Sequence, residues 1–217
     1  MVDSTNGAQR ASRRSRIRLS AGLLLVVSLL GSLAAAPSVG ATIGSTVQIG
    51  AATTLTTTTI DRPWYSVELY ELALVNCTRT GGWVLRDGTC RGYGSGRYSA
   101  YVRPLSLSAG ISNMVSRPYS RLLAIRGVCS HYYGSDPGYR LRRAGFRNWT
   151  WGENIGCSSG YTSAKAAVLA SHLAMQAEKW TGGGHWKNIK NARFNCLGIG
   201  VWRYGSRTRL VTDFYRA

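Results

Sequence analysis

The sequence predicts an α+β domain, on three observations. Apolar residues recur with helical period over Ser163–Trp180, where Val168, Leu169, Leu173 and Met175 follow an alanine-rich start. Near the C-terminus they alternate instead: Leu197, Ile199 and Val201 share one side, and after a turn at Gly205-Ser206 so do Leu210, Thr212 and Phe214. Helices followed by an antiparallel hairpin belong to the α+β class. Hydrophobic residues make up 44% of the 217-residue chain, enough to build one domain with a real core and too many for a disordered one.

In chain order, the first helix is expected over Pro63–Asn76, with Leu69, Leu72 and Ala73 at helical spacing and Asp61 as a cap before the proline. Residues 77–104 are rich in glycine, tyrosine and arginine and read as a loop closed by a disulfide. Ser106 or Ser108 can cap a helix that runs through Ile111, Met114 and Val115 and, after Pro118, through Leu122, Leu123 and Ile125 to a stop at Gly127. Proline inside a helix removes an amide donor and crowds the preceding turn, so this segment is one kinked helix or two abutting ones. The long helix over Ser163–Trp180 is expected to stop at Gly182-Gly183-Gly184.

The start of the chain carries an address. Arg10, Arg13, Arg14, Arg16 and Arg18 precede an apolar run from Ala21 to about Ala36, and Val39-Gly40-Ala41 offers small residues for cleavage, so residues 1–41 read as a secretory signal peptide. The run is shorter than the roughly 20 apolar residues that span a bilayer, and no transmembrane anchor is expected after cleavage. Residues 42–62, rich in threonine, serine and glycine, read as a flexible spacer before a domain at 63–217. The expected location is extracellular.

Cleavage would remove five arginines and Asp3 and leave 22 basic against eight acidic residues, a net charge of +14. An intracellular protein so basic would suggest nucleic acid, which is not expected for an exported chain. An anionic component of the cell envelope, phospholipid headgroups or acidic glycans are the expected partners. All five cysteines lie beyond the cleavage point, in keeping with an oxidising destination. Cys77 and Cys90 bracket a short glycine-rich loop, and a Cys129–Cys157 bridge would tie the segment around His131 to the one around Glu153. Cys196 then remains a buried thiol. Spacing alone does not determine the connectivity.

Two of the three histidines and two of the nine acidic residues sit in polar, glycine-flanked contexts: His131, Glu153 in Gly152-Glu153-Asn154-Ile155, Glu178, and His185 in Gly184-His185. Imidazole with carboxylate is a common surrounding of a divalent metal. Glu178 shares a helix face with Ala174 and Ser171, whereas His172 lies about 120° around the cylinder and reads as an exposed or packing histidine outside the site. Gly152-Glu153-Asn154 itself reads as a possible turn whose carboxylate accepts backbone amides. Trp151, Trp180, Trp186 and Trp202 gather near these segments and are expected mainly to pack.

Taken in order, Leu74-Val75-Asn76 with Arg79, His131 with Arg140-Leu141 and Ala144-Gly145-Phe146, Gly152-Glu153-Asn154-Ile155, the helix ending in Glu178, Gly184-His185, Leu197-Gly198-Ile199-Gly200 and Asp213-Phe214 resemble the CAP superfamily. This is the group of cysteine-rich secretory proteins, antigen 5 and pathogenesis-related 1 proteins, with its SCP-like domain; the chain looks like the bacterial secreted branch. The resemblance implies an α-β-α sandwich, with helices on both faces of a small antiparallel sheet. It also implies a cleft tetrad of His131, Glu153, Glu178 and His185, in which His131 and His185 bind zinc or a similar divalent cation. A binding function toward an envelope, lipid or sterol-like ligand is the leading expectation. The alternative is a metal-dependent secreted peptidase with Glu153 or Glu178 as general base. Against that alternative, no His-Glu-x-x-His helix is present, and two histidines make a thinner zinc set than the usual three protein ligands.

Overall fold

The structure is a computed structural model that describes residues 62–217. The expected signal peptide, all of the expected spacer except Arg62, and the Asp61 cap lie outside the described residues. Helix α1 (Tyr65–Arg79) runs a turn further than its apolar period implies. Its last turn is held from outside, because the Arg79 guanidinium donates to the carbonyl oxygens of Arg103, Ile189, Asn191 and Phe194. Arg79 is fully buried, and that burial lowers its pKa to about 10. The following loop contains the short antiparallel pair β1 (Trp83–Val84) and β2 (Cys90–Arg91), and it is closed by the Cys77–Cys90 disulfide.

After β3 (Ser106–Leu107), Ser108 caps α2 (Ala109–Ile111) by accepting the Ile111 amide. A π-helical segment, Ser112–Ser116, separates α2 from α3 (Arg117–Arg126). The chain thus meets Pro118 by widening the preceding turn, which removes the donor problem without a break. Gly127 ends α3 in the left-handed conformation, at φ 71°. Next come α4 (Pro137–Arg143), capped by Asp136, and β4 (Trp151–Ser159). Helix α5 (Ala164–Ala177) is capped by Ser163, and a short 3-10 turn, Glu178–Trp180, follows it. Helix α6 (Gly184–Lys190) precedes the hairpin of β5 (Cys196–Tyr204) and β6 (Arg207–Tyr215).

The main sheet has the order β3-β5-β6-β4 and is antiparallel except where the two-residue β3 joins β5 in parallel. Alternation along the strands sends side chains to two layers. One face carries Leu197, Ile199, Val201, Leu210 and Phe214 against Val75 of α1 and Val168 and Met175 of α5. The other carries Ile155 and Val211 against Tyr119 and Leu123 of α3, and Cys196 and Tyr215 against Ile111, Val115 and Leu141. Helices therefore cover both faces, which is the α-β-α sandwich. The π segment lies close on β5: a Cβ on Gly200 would come within 2.2 Å of the Ser116 backbone.

Two local readings change. Gly152-Glu153-Asn154 is strand and not turn, because every residue from Trp151 to Ser159 pairs with β6. The glycine run at 182–184 does not only end a helix, since Gly184 starts α6. A glycine is needed at 183, where a Cβ would lie 2.3 Å from Glu178 Oε2.

Candidate functional site

Because β4 is an edge strand, one side of its backbone is free of sheet partners, and the expected site residues gather along that edge. Two cavities of about 310 and about 300 Å³ line it. His131, Trp151, Glu153 and Asn188 border the first; Ser171, Ala174, Glu178 and His185 border the second. Helix α6 lies against the edge, where the Asn188 side-chain amide donates to Glu153 O and to Asn154 Oδ1. The Asn154 amide in turn donates to His185 O.

His131 Nδ1 lies 2.7 Å from Glu153 Oε1, so this ring nitrogen carries the proton and donates to the carboxylate. The second oxygen of Glu153 accepts from Arg140 Nη2 at 2.5 Å, and Arg140 Nη1 donates back to the carbonyls of His131 and Ser135. The Cys129–Cys157 disulfide anchors the segment leading to His131 onto β4. Glu153 is buried, its side chain 1% exposed, and across the strand pair it faces Asp213. Burial, and next the charge of Glu153, push Asp213 up to about 8, against the Ser116 hydrogen bond and the Arg140 charge. Both effects favour the neutral form of Asp213, and Ser116 Oγ donates to its Oδ2 at 2.6 Å.

The second pair has a different support. His185 Nδ1 lies 2.6 Å from Glu178 Oε1, while Glu178 Oε2 accepts the backbone N–H groups of His185 and Trp186. Glu178 thus serves as the side-chain cap of α6, which Gly183 cannot provide. Partial burial pushes the Glu178 carboxyl up, but the bonds from His185 and from the two amides outweigh it and hold the group below the ordinary carboxylate range.

The four expected cleft residues therefore stand as two pairs. Among the described residues no three histidine, cysteine, aspartate or glutamate side chains form a group able to hold a metal ion, so the tetrad is not a single four-ligand cluster. The carboxylates are already engaged, Glu153 by Arg140 and Glu178 by helix amides. His172 lies apart, fully buried between α1 and α5, with Nδ1 3.3 Å from Glu71 and Nε2 3.0 Å from Thr78. Burial pushes the Glu71 carboxyl up, against the pull of His172. Cys196 is a buried thiol. Trp180 departs from the packing expectation, being 74% exposed.

Sequence reading assigned no role to Arg140, Asp213, Asn154 or Asn188. The Glu153–Asp213 juxtaposition follows from the β4–β6 register, so recognising residues 151–159 as a strand would have exposed it. Burial also changes the charge balance. Glu68, Glu71, Glu153 and Asp213 are buried, leaving Asp87, Asp136 and Glu178 as the described acidic side chains open to solvent. A surface cavity of about 590 Å³ is lined by Arg103, Arg193 and Arg216 beside Tyr101, with no acidic side chain in its lining.

The domain is similar in fold to an extracellular protein containing an SCP domain from Bacillus anthracis str. Ames. The two share 19% identity over 76% of this chain and 45% of that one, with a TM-score of 0.50. This chain thus spans less than half the length of that protein. NaASP2, solved with Zn2+, aligns at 15% identity over 73% of this chain and 82% of its own, with a TM-score of 0.44. No protein-family model and no curated protein sequence matches the chain. The fold is the CAP/SCP-like one.

Proposed function

We propose that the chain is an exported SCP-type binding module whose β4-edge cleft takes a divalent cation on His131 and His185. One observation carries this reading: each histidine spends Nδ1 on its own glutamate, which leaves Nε2 as the free donor atom. Metal-binding imidazoles are commonly oriented in this way by a carboxylate on the other ring nitrogen. Two imidazoles would leave a cation's remaining positions to water or ligand, a set too thin for a closed structural zinc site, which takes four protein ligands. A bound cation would supply Lewis acidity. The residues of the chain orient the rings and tune the surrounding charge. Binding is favoured over peptide hydrolysis because neither carboxylate is free to take a proton from water: both oxygens of Glu153 are held, by His131 and Arg140, and those of Glu178 by the His185 ring and the first amides of α6.

Zinc titration of the mature protein by calorimetry tests the cleft. His131→Ala and His185→Ala are each expected to weaken binding at least tenfold, and Glu153→Gln and Glu178→Gln about 10–100-fold, as for supporting groups generally. Zinc affinity unchanged in both histidine variants would remove the reading.

The basic surface is read as the attachment face for an anionic extracellular polymer, centred on Arg103, Arg193 and Arg216. Retention on anionic wall material should fall steeply between low and physiological salt, since exposed charges are screened beyond about 8 Å at 0.15 M. Replacing the three arginines by glutamine should remove most of that retention. Retention that ignores both salt and these substitutions would contradict the assignment.

A further inference from the structure

The far half of the β4 edge takes no part in the cation site, and its backbone is unpaired. Two bonds just beyond the ends of the strand fix which groups point outward: Arg216 N–H donates to Thr150 O at 3.1 Å, and Gly160 N–H to Ser206 O at 3.1 Å. In an antiparallel register, bonded pairs alternate with unbonded ones. The even-numbered residues from Gly152 to Ser158 therefore spend their backbone groups on β6, while Trp151, Glu153, Ile155, Cys157 and Ser159 turn theirs outward. At Glu153 the outward carbonyl is already taken, by the Asn188 side-chain amide at 3.1 Å. This contact shows that the edge accepts a peptide-like donor. The outward N–H and C=O groups of Ile155, Cys157 and Ser159 have no hydrogen-bond partner among the described residues.

Natural edge strands are commonly blunted by charge, proline or a bulge. This half has none of them: Ile155-Gly156-Cys157-Ser158-Ser159 is uncharged, and its register with β6 is unbroken. It is also within reach, since Cys157 and Ser159 are exposed. Beside it opens the cavity of about 300 Å³, whose opposite wall is made of the small side chains of Ala170, Ser171 and Ala174, with Tyr161 also in the lining. A strand added here would lie about 4.8 Å from β4 and send every second side chain toward that wall.

Charge selects the occupant. Arg207 is the register partner of Ser159, and Arg203 Nη2 donates to the Tyr161 carbonyl at 2.9 Å. Neither arginine forms a salt bridge among the described residues. A second copy of so basic a chain would be repelled at this edge, whereas an acidic segment is drawn to it. We propose that the edge at residues 155–159 binds an extended acidic peptide of a partner protein by strand addition, with its acidic side chains toward the Arg203 and Arg207 end. This inference does not need the cation reading.

The probe is an acetylated and amidated heptapeptide of alternating valine and glutamate. Its controls are the valine–lysine counterpart and a valine–glutamate version N-methylated at every residue, which lacks the donors for pairing. Bound to the mature protein, the probe should slow hydrogen exchange at the outward amides of Ile155, Cys157 and Ser159 and leave Gly156 and Ser158, already bonded to β6, unchanged. Both controls should bind at least about tenfold more weakly, and the deficit of the lysine peptide should shrink as salt rises. Ser159→Pro removes one outward donor without touching a bond to β6, and should weaken the probe about fivefold, the loss of one hydrogen bond. Ala174→Tyr, at an exposed position of α5, fills the cavity and should weaken the probe at least about tenfold. Unchanged exchange at the three outward amides at saturation, or equal binding of the N-methylated peptide, overturns strand addition; equal binding of the lysine peptide overturns the acidic partner. Protection of the same amides without peptide, rising with protein concentration, would assign the edge to a second copy and overturn the proposal as well. Zinc titration of Ser159→Pro should give wild-type affinity whether or not the peptide binds, which separates failure here from failure of the cation reading.

Discussion

The two histidine–glutamate pairs have the same composition and different foundations. In His131–Glu153 the carboxylate is 1% exposed and sits in a buried lattice with Arg140, Asp213 and Ser116, drawn from α4, β6 and the π segment. In His185–Glu178 the carboxylate is 28% exposed, and its other partners are the first amides of α6, a few residues away in sequence. One pair is thus a product of tertiary assembly, the other of local helix capping. Burial alone makes the first sensitive to loss of charge balance and leaves the second buffered by water.

Removing the supporting group from each pair should separate them most strongly. Arg140→Ala leaves Glu153 buried beside Asp213 without a cation, and breaking a buried ion pair in this way costs about 3–5 kcal/mol. Glu178→Ala strips the cap from α6 and is expected to cost only about 1 kcal/mol. Urea unfolding of both variants measures the difference. Equal losses would mean that the Glu153 lattice is no more demanding than a surface cap.

A smaller contrast lies in the pH dependence. Asp213 has a folded pKa of about 8, raised by burial and by Glu153, so between about 4 and about 8 the folded state holds a proton that the unfolded state has released. Its contribution to stability is present at low pH and lost as pH rises through that window, with a slope of up to about 1.4 kcal/mol per pH unit. Asp213→Asn should flatten the curve there. The Glu178 carboxyl is depressed, so its contribution runs the other way: it is present at neutral pH and lost as pH falls below the usual carboxylate range. Glu178→Gln should remove that acid limb alone. Thermal melts from about pH 2 to 9 would distinguish the two, and an Asp213→Asn variant that keeps the full slope would show that another group carries it.

Periodicity in the sequence was enough to place the first helix apart from its last turn, the long helix before Glu178, a helix opening after Ser106 or Ser108, and the C-terminal hairpin. The helices each bury one face, and the hairpin, buried on both, still places its large apolar residues on the side toward α1 and α5, so a period of 3.6 or 2 is written into the residues. Strand β4 was not legible in this way. Like the hairpin it packs on both faces, through Ile155 on one side and Asn154 and Gly156 on the other, but Trp-Gly-Glu-Asn carries neither alternation nor β-branched residues. Its strand conformation is imposed by nine registered partners on β6.

The same reason limits the site. Motif order in the sequence was enough to nominate His131, Glu153, Glu178 and His185, and helical geometry to set His172 aside. Only the tertiary structure decided that they stand two by two. Glu178 finds its partner seven residues on, within reach of local chain geometry. Glu153 meets Arg140, Asp213 and His131 because an edge strand, a hairpin register, a disulfide and a separate helix converge on one buried carboxylate. Contacts between distant segments leave no period in the sequence, and the charge state of Asp213 depends on burial that exists only once those segments have packed.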